Sequence, residues 1–395
     1  MSRRVHVAGV GMIPFAKPGR SDAYDVMGAA AVRAALADAG LAYGLVEQAY
    51  AGYVYGNSTC GQRALYRIGM TGIPVVNVNN NCATGSTALW LARQAVESGA
   101  VECALAFGFE QMRPGALKGT WDDRATPLDR FVEVMDEIEG APGDAPVVMR
   151  FFGAAGTEYV ERYGAAPRTF AKVAVKARTH AANNPYAVFR DPVTEREVLE
   201  SPPLYGPVTR LQACPPTCGA AAAIVCSEEF ARRHGLRTDV AIKAQSLVTD
   251  FPGTFETKSM IDVVGAGITR EAARQVYEAS GADPRDIAVV ELHDCFTVNE
   301  VLSYEALGLC PEGGAEKFVH NGDNTYGGQS VVNPSGGLLS KGHPLGATGL
   351  AQCAELVWQL RGRAEARQVE GVTLALAHNL GLGGAGVVTL YEKVS

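Results

Sequence analysis

Four side chains in this 395-residue chain have the types and the company for acyl-group and proton chemistry: Cys82, His293, Cys295 and His343. Cys82 lies where a β-branched run, Ile73 to Val78, passes through three asparagines into a small-residue helix. A helix start offers unpaired N–H groups and the positive end of a dipole, both of which favour a thiolate. An ordinary thiol is only ~3% ionised at neutral pH, and a one-unit drop in pKa raises that to roughly a quarter. The plain alternative is a small buried cysteine filling a strand–helix junction. Cys295 belongs to His293-Asp294-Cys295-Phe296, at the carboxyl end of an expected strand, a usual place for reacting groups in α/β folds. In Gly342-His343-Pro344, proline at a first helical position would set the imidazole at a helix mouth. The stretch His378 to Gly384, with Gly381 at its centre, reads as a loop whose N–H groups can bind an oxyanion. Singly, each histidine is more often a satisfied core residue and the glycine loop a tight turn. Their joint occurrence at the ends of parallel elements is what argues for chemistry.

To bring these groups together, strands and helices must alternate. Residues 5–13 read as a strand, 21–37 as a helix, 46–55 as a helix end entering a strand, and 103–108 as a buried strand. That alternation predicts an α/β layered fold. From about Met112 to Pro207, charges, prolines and scattered aromatics rise, as expected of an inserted cap. Layered structure resumes at 219–226, followed by a strand at 240–247, a helix at 271–280, a strand at 287–292 and a helix at 350–360. Cys82-Ala-Thr-Gly-Ser-Thr-Ala-Leu and His343-Pro-Leu-Gly-Ala-Thr-Gly-Leu each place a reactive side chain before a small-residue helix. Each half also closes on a Gly/Ala turn and a strand, at 219–226 and 381–390. The repetition predicts an internal duplication: an N-terminal half, 1–230, carrying the insert 112–207, and a C-terminal half, 231–395.

Composition bounds the rest. Hydrophobic residues at 47% against 19% charged describe a compact globular chain, and a net charge of −7 argues against broad nucleic-acid binding. No apolar run is long enough for a membrane span. The start is read as a first strand, because His6, the glycines and Pro14 interrupt any signal-peptide core. Nine scattered cysteines fit a reducing compartment, so a cytoplasmic location is expected. Gly381 to Gly386 matches the dinucleotide pattern G-x-G-x-x-G, yet it leads into a strand with nine residues to go, leaving no room for the required helix. Cys214, Cys218, Cys226 and His234 lack a C-x₂-C pair, so no metal is expected there. Cys60, Cys103, Cys310 and Cys353 are taken as packing thiols, and His6, His180, His234 and His320 as structural or exposed.

The motifs together resemble the thiolase superfamily, in its sterol-carrier-protein branch. The resemblance rests on Val76-Asn-Val-Asn-Asn-Asn-Cys82-Ala-Thr-Gly-Ser-Thr-Ala-Leu89, Glu291-Leu-His-Asp-Cys-Phe296, Tyr304 to Gly313, Gly322 to Gly328, Asn333 to Gly349, and His378 to Gly384. It implies a five-layered αβαβα fold of two duplicated halves with an inserted loop domain, usually as a homodimer. It also implies acyl-CoA substrates, coenzyme A as co-substrate, and neither a metal nor a permanently bound cofactor. Conventional thiolases carry Asn-Glu-Ala-Phe and a late catalytic cysteine; here His-Asp-Cys-Phe and Asn379 stand in those places. In this branch Cys295 takes over the acid/base task. Cys82 is then the nucleophile and His343 its base, while His293 and His343 serve the enolate oxygen. Cys82 N–H and the Gly381 loop are expected to serve the tetrahedral intermediate. Relatives carry a polar pair where this chain has Thr217-Cys218, and a fused lipid-transfer domain is not expected after Ser395. Arg113, Lys118, Arg124 and Arg130 are candidates for the CoA phosphates. Two other readings stand beside this one: a retro-aldolase of the same fold acting on steroid side-chain thioesters, and a non-catalytic acyl-CoA or lipid carrier.

Overall fold

A computed structural model describes residues 3–114, 123–140 and 145–394. Among these residues the twelve strands are β1 (Val5–Met12), β2 (Gln48–Gly52), β3 (Val75–Val78), β4 (Cys103–Glu110), β5 (Pro203–Tyr205), β6 (Val208–Thr209), β7 (Gly219–Ser227), β8 (Val240–Val248), β9 (Val289–Glu291), β10 (Val331–Val332), β11 (Leu374–Gly381) and β12 (Ala385–Lys393). All but the β5/β6 hairpin lie in one sequence of ten strands, ordered β10-β9-β11-β12-β8-β1-β7-β4-β2-β3.

That order contains the duplication. Read inward from its outer edge, the first set is β3-β2-β4-β7-β1, paired parallel, parallel, antiparallel, antiparallel. The second, β10-β9-β11-β12-β8, repeats the same four relations. The sets meet where β1 and β8 run antiparallel through the single pair His6–Ala241.

Helices complete the layers. One outer face holds α1 (Tyr24–Ala39) and α2 (Cys60–Tyr66); the other holds the helix Ala266–Ser280 against β8 and β12. Between the sets lie α3 (Thr84–Glu97) and the helix Thr348–Leu360, packed on each other. The result is five layers, α/β/α/β/α, with a central core that draws on both sets through Leu89, Ala92, Leu350, Ala354 and Val357. The buried strands β4 and β7 are near-continuous apolar runs rich in alanine, as suits sheets covered on both faces. The two central helices meet so closely at their N-terminal ends that only glycine fits at Gly85 and Gly349. A Cβ on Gly85 would lie 2.8 Å from Gly346 O, and one on Gly349 would lie 2.0 Å from Ser86 Oγ. That glycine contact brings the start of each helix, and the reactive residue before it, to one place.

The insert forms helices Asp129–Glu139, Val147–Tyr163, Pro167–Ala181 and Glu195–Leu199. It docks on the C-terminal set. Lys176 pairs with Glu300 and donates to Val332 O at 3.1 Å, His180 Nδ1 bonds Asn333 O at 2.9 Å, and Phe152 stacks on Phe296 at 4.7 Å. Trp121 and Lys118 lie outside the described residues.

Several boundaries differ from expectation. The first helix begins at Tyr24 rather than Ser21, and α2 had no strong periodic signal. His378 to Gly381 is not loop but the end of β11, paired with β12; only Leu382 to Gly384 turns, with Gly383 and Gly384 at positive φ. The small-residue stretch 219–226 is strand throughout.

Candidate active site

The asparagines before Cys82 shape its hinge. Asn79 Oδ1 accepts from Asn81 N–H at 3.0 Å, and Asn81 adopts a left-handed φ of 50°, a conformation asparagine tolerates better than most residues. Asn81 Nδ2 donates to Leu382 O at 3.1 Å, tying the hinge to the β11–β12 turn. Thr84 and Thr87 hydroxyls bond Asn80 and close the first turn. Gly381 lies directly under this hinge, where a Cβ would fall 2.2 Å from Asn80 O. Gly381→Ala is expected to cost about 1–3 kcal/mol of stability, seen as a lower urea midpoint, and to displace Cys82.

His343 precedes the partner helix. Pro344 does not open that helix: it starts at Thr348, after a turn in which Ala347 and Thr348 N–H both bond Pro344 O. The turn decides the imidazole's tautomer. Thr348 Oγ1 donates its proton to Pro344 O at 3.0 Å, so at 2.7 Å from His343 Nδ1 it must accept. Nδ1 therefore carries the ring proton and Nε2 bears the lone pair. Buried Nε2 has no hydrogen-bond partner among the described residues, so its lone pair is available to accept a proton.

His293 is set the other way round. Ser86 Oγ donates to Asn379 Oδ1 at 2.9 Å, which orients the amide so that Nδ2 donates to His293 Nδ1 at 2.9 Å. The proton of neutral His293 is then on Nε2, as a donor. Cys82, His293 and His343 come together with a ligating atom of each within 4.8 Å of the others, and the two rings meet edge to face at 5.1 Å. Among the described residues no other cluster of three or more histidines, cysteines or carboxylates is this tight; Cys214, Cys218, Cys226 and His234 do not assemble.

Cys295 is buried beside them. A strap from Ala213 to Pro216 spans the site: Ala213 pairs with Phe296, Cys214 N–H donates to Cys295 O at 2.8 Å, and Pro216 pairs with His343. Asp294 turns away to accept from Leu338 N–H at 2.7 Å, anchoring the motif to the Gly337–Ser340 turn.

The electrostatics reverse one expectation. Cys82 is not an activated thiolate at rest. Desolvation, reinforced by the Glu110 carboxylate, pushes its thiol up to about 12, and it precedes α3 by two residues rather than capping it. Burial lowers His343 to about 3 and holds His293 well below its usual value. Burial, then the neighbouring Cys214, Cys82 and Asp294, raise the Cys295 thiol well above 9. The site is thus at rest a set of neutral donors and acceptors.

The sequence reading did not identify Glu110, Cys214, Thr348 or Ser86 as part of this site. Glu110 ends a strand beside an alternation already recognised; the others have no local signal. Arg124 pairs with Asp123 and Arg130 with Glu133, while Arg113 is exposed. A surface depression of about 630 Å³ lies elsewhere, lined by Asp25, Arg63 and Arg67, and there both arginines bind the aspartate.

Comparison with known proteins places this arrangement. Residues 5–229 match the family described as "Thiolase, N-terminal domain" and residues 254–391 match "Thiolase C-terminal domain-like". The chain is 56% identical over 393 residues to sterol carrier protein 2 of Oryctolagus cuniculus, covering 98% of this chain and 72% of that protein. It is 38% identical over 387 residues to the benzoylsuccinyl-CoA thiolase subunit BbsB of Thauera aromatica, covering 97% and 96%. A solved Ltp2-ChsH2(DUF35) aldolase shares the fold with a TM-score of 0.83 at 24% identity, over 99% of this chain and 98% of that one. With both family halves matched in order and these identities along nearly its whole length, the chain belongs to the thiolase family.

Proposed function

We propose that the protein cleaves a 3-oxoacyl-CoA with coenzyme A, giving a shortened acyl-CoA and acetyl-CoA, or propionyl-CoA when the substrate carries a 2-methyl branch. This is a fatty acid β-oxidation chemistry, and branched or sterol side chains fall within it. The observation that carries the reading is the convergence of Cys82, His293 and an unpartnered His343 Nε2 within 4.8 Å. Thiolase family membership and the likeness to a protein named for a CoA thioester support it.

Cys82 Sγ attacks the 3-keto carbon as its proton passes to His343 Nε2. The Cα–Cβ bond then breaks, leaving the acyl group on Cys82 and the electron pair in an enolate. His293 Nε2–H and protonated His343 face the enolate oxygen, and Cys295 Sγ–H protonates the enolate carbon. The CoA thiol loses its proton to the Cys295 thiolate and attacks the acyl carbonyl. Cys82 leaves as the thiol, taking back the proton from His343. Cys82 N–H and the Gly381 backbone are suited to the tetrahedral oxyanion, where each donor typically contributes ~3–4 kcal/mol.

The test is covalent. Incubation with a saturated acyl-CoA should add the acyl mass to the Cys82 peptide and release CoA, and Cys82→Ala should abolish both. Acylation elsewhere, or none, would sink the reading. The aldolase likeness makes a second measurement worthwhile: C–C cleavage that proceeds without CoA points to retro-aldol chemistry instead.

We further propose a homodimer through β3. This short strand is one of the two edges of the ten, it leads straight into the Cys82 hinge, and Val76, Tyr66 and Met70 are exposed around it. Light scattering at twice the chain mass is the expected result. We also propose that the halves divide at residue 230, into 1–230 and 231–395. A reducing, cytoplasmic setting agrees with nine free cysteines, and no helix among the described residues is long and apolar enough to cross a membrane.

A further inference from the structure

Glu110 ends β4 fully buried, and no lysine or arginine among the described residues pairs with it. Its partners are three backbone N–H groups from two distant stretches. Oε2 accepts from Val54 at 3.0 Å and from Gly346 at 3.0 Å, and Oε1 accepts from Tyr55 at 2.9 Å. Gly346 is the middle of the turn that runs from His343 to Thr348, the residue that fixes the imidazole's tautomer. No side chain separates that turn from the N-terminal set. A Cβ on Gly108 would meet Gly346 O at 1.9 Å, and one on Gly346 would meet Phe109 O at 2.5 Å and Gly52 O at 2.6 Å. The halves therefore touch backbone to backbone, and the Glu110 carboxylate stitches the contact. The ionisable groups around it are Tyr55 after β2, Cys82 at the β3–α3 hinge and His343 on the stitched turn; the Glu110 carboxylate opposes ionisation of both Tyr55 and Cys82.

We propose that Glu110 is a positioning residue: it holds the His343 turn of one half against the β2 exit of the other and sets a carboxylate beside the Cys82 hinge. The proposal rests on reading Cys82 and His343 as nucleophile and base. A buried carboxylate without a cation is an expensive device, and desolvation accordingly raises Glu110 to about 7 against the pull of its three N–H donors. Such a group is retained where its geometry or its charge is needed.

Two variants separate reach from charge. Glu110→Asp keeps the charge but is too short to hold Gly346, Val54 and Tyr55 together. It should leave the pH midpoint of Cys82 alkylation by iodoacetamide unchanged while slowing acylation by acetyl-CoA about tenfold or more, since misplacement of ~1 Å can cost 10²-fold. Glu110→Gln keeps the length and loses the charge. It should move the alkylation midpoint to lower pH and also slow acylation about tenfold. An unmoved midpoint in Glu110→Gln, or acylation within about twofold of wild type in both variants, would overturn the proposal. If neither variant folds, the wild-type protein decides: a carboxylate titrating near 7 beside the sulfur should flatten the rise of log alkylation rate around that pH, and an unbroken unit slope overturns the idea. Alkylation needs no turnover, so a wild-type protein without thiolysis would reject the reading of function and still report on Glu110.

Discussion

Replacing His343 by alanine should slow acylation of Cys82 by about 10²–10⁴-fold, the range a general base typically contributes. The size follows from the nucleophile's resting state. With a thiol pushed up to about 12, only roughly one molecule in 10⁵ carries a thiolate at pH 7 without help. His343 Nε2 removes that cost by taking the proton during attack, and it is available for the purpose because Thr348 holds the ring proton on Nδ1. The pH profile separates this from simple misfolding. His343 titrates near 3, so its base form is present throughout pH 5–9 and wild-type acylation should be nearly flat there. In His343→Ala the reaction must wait for free thiolate, so its rate should rise about tenfold per pH unit from 7 to 9. Rapid quenching followed by mass measurement of the Cys82 peptide reads both. A flat profile in the variant would remove His343 from its role.

Cys295→Ala should divide the reaction in two. Exchange of the acetyl-CoA methyl protons in heavy water, followed by NMR, is expected to fall by about 10²–10⁴-fold. Acylation of Cys82 by a saturated acyl-CoA should persist, since that step moves no carbon-bound proton. Burial and the nearby Cys214, Cys82 and Asp294 keep Cys295 as a thiol, the form that can protonate an enolate. Cys82 is the thiol that clusters with His293 and His343 within 4.8 Å, and that proximity to the base assigns it the covalent role. Exchange at the wild-type rate in Cys295→Ala would reassign the proton transfer, with Cys214 the next thiol to substitute.

The groups proposed to react could be picked out from residue order because each sits in a short motif whose neighbours shape it locally: asparagines before Cys82, glycines around His343, a strand before His293. The duplication was legible too, since equivalent strands and helices repeat their small-residue pattern, and the ten-strand order bears this out. The part played by His378 to Gly384 was misread as loop because its glycines outweighed a strand signal supplied only by pairing with β12. The thiolate at Cys82 was misread for a related reason. A local dipole argument sees the helix start but not Glu110, which comes from another strand, or the desolvation imposed by both halves.

Sequence alone determined which atoms this protein can bring to a reaction and the order of the elements that carry them. Only tertiary structure decided their states: which nitrogen of each histidine is bare, that both sulfurs rest protonated, and that Glu110 joins the halves. The reason is physical. Tautomers and proton affinities depend on hydrogen bonds such as Ser86 to Asn379, made across 293 positions, and on the exclusion of water, neither of which exists until the two halves have packed.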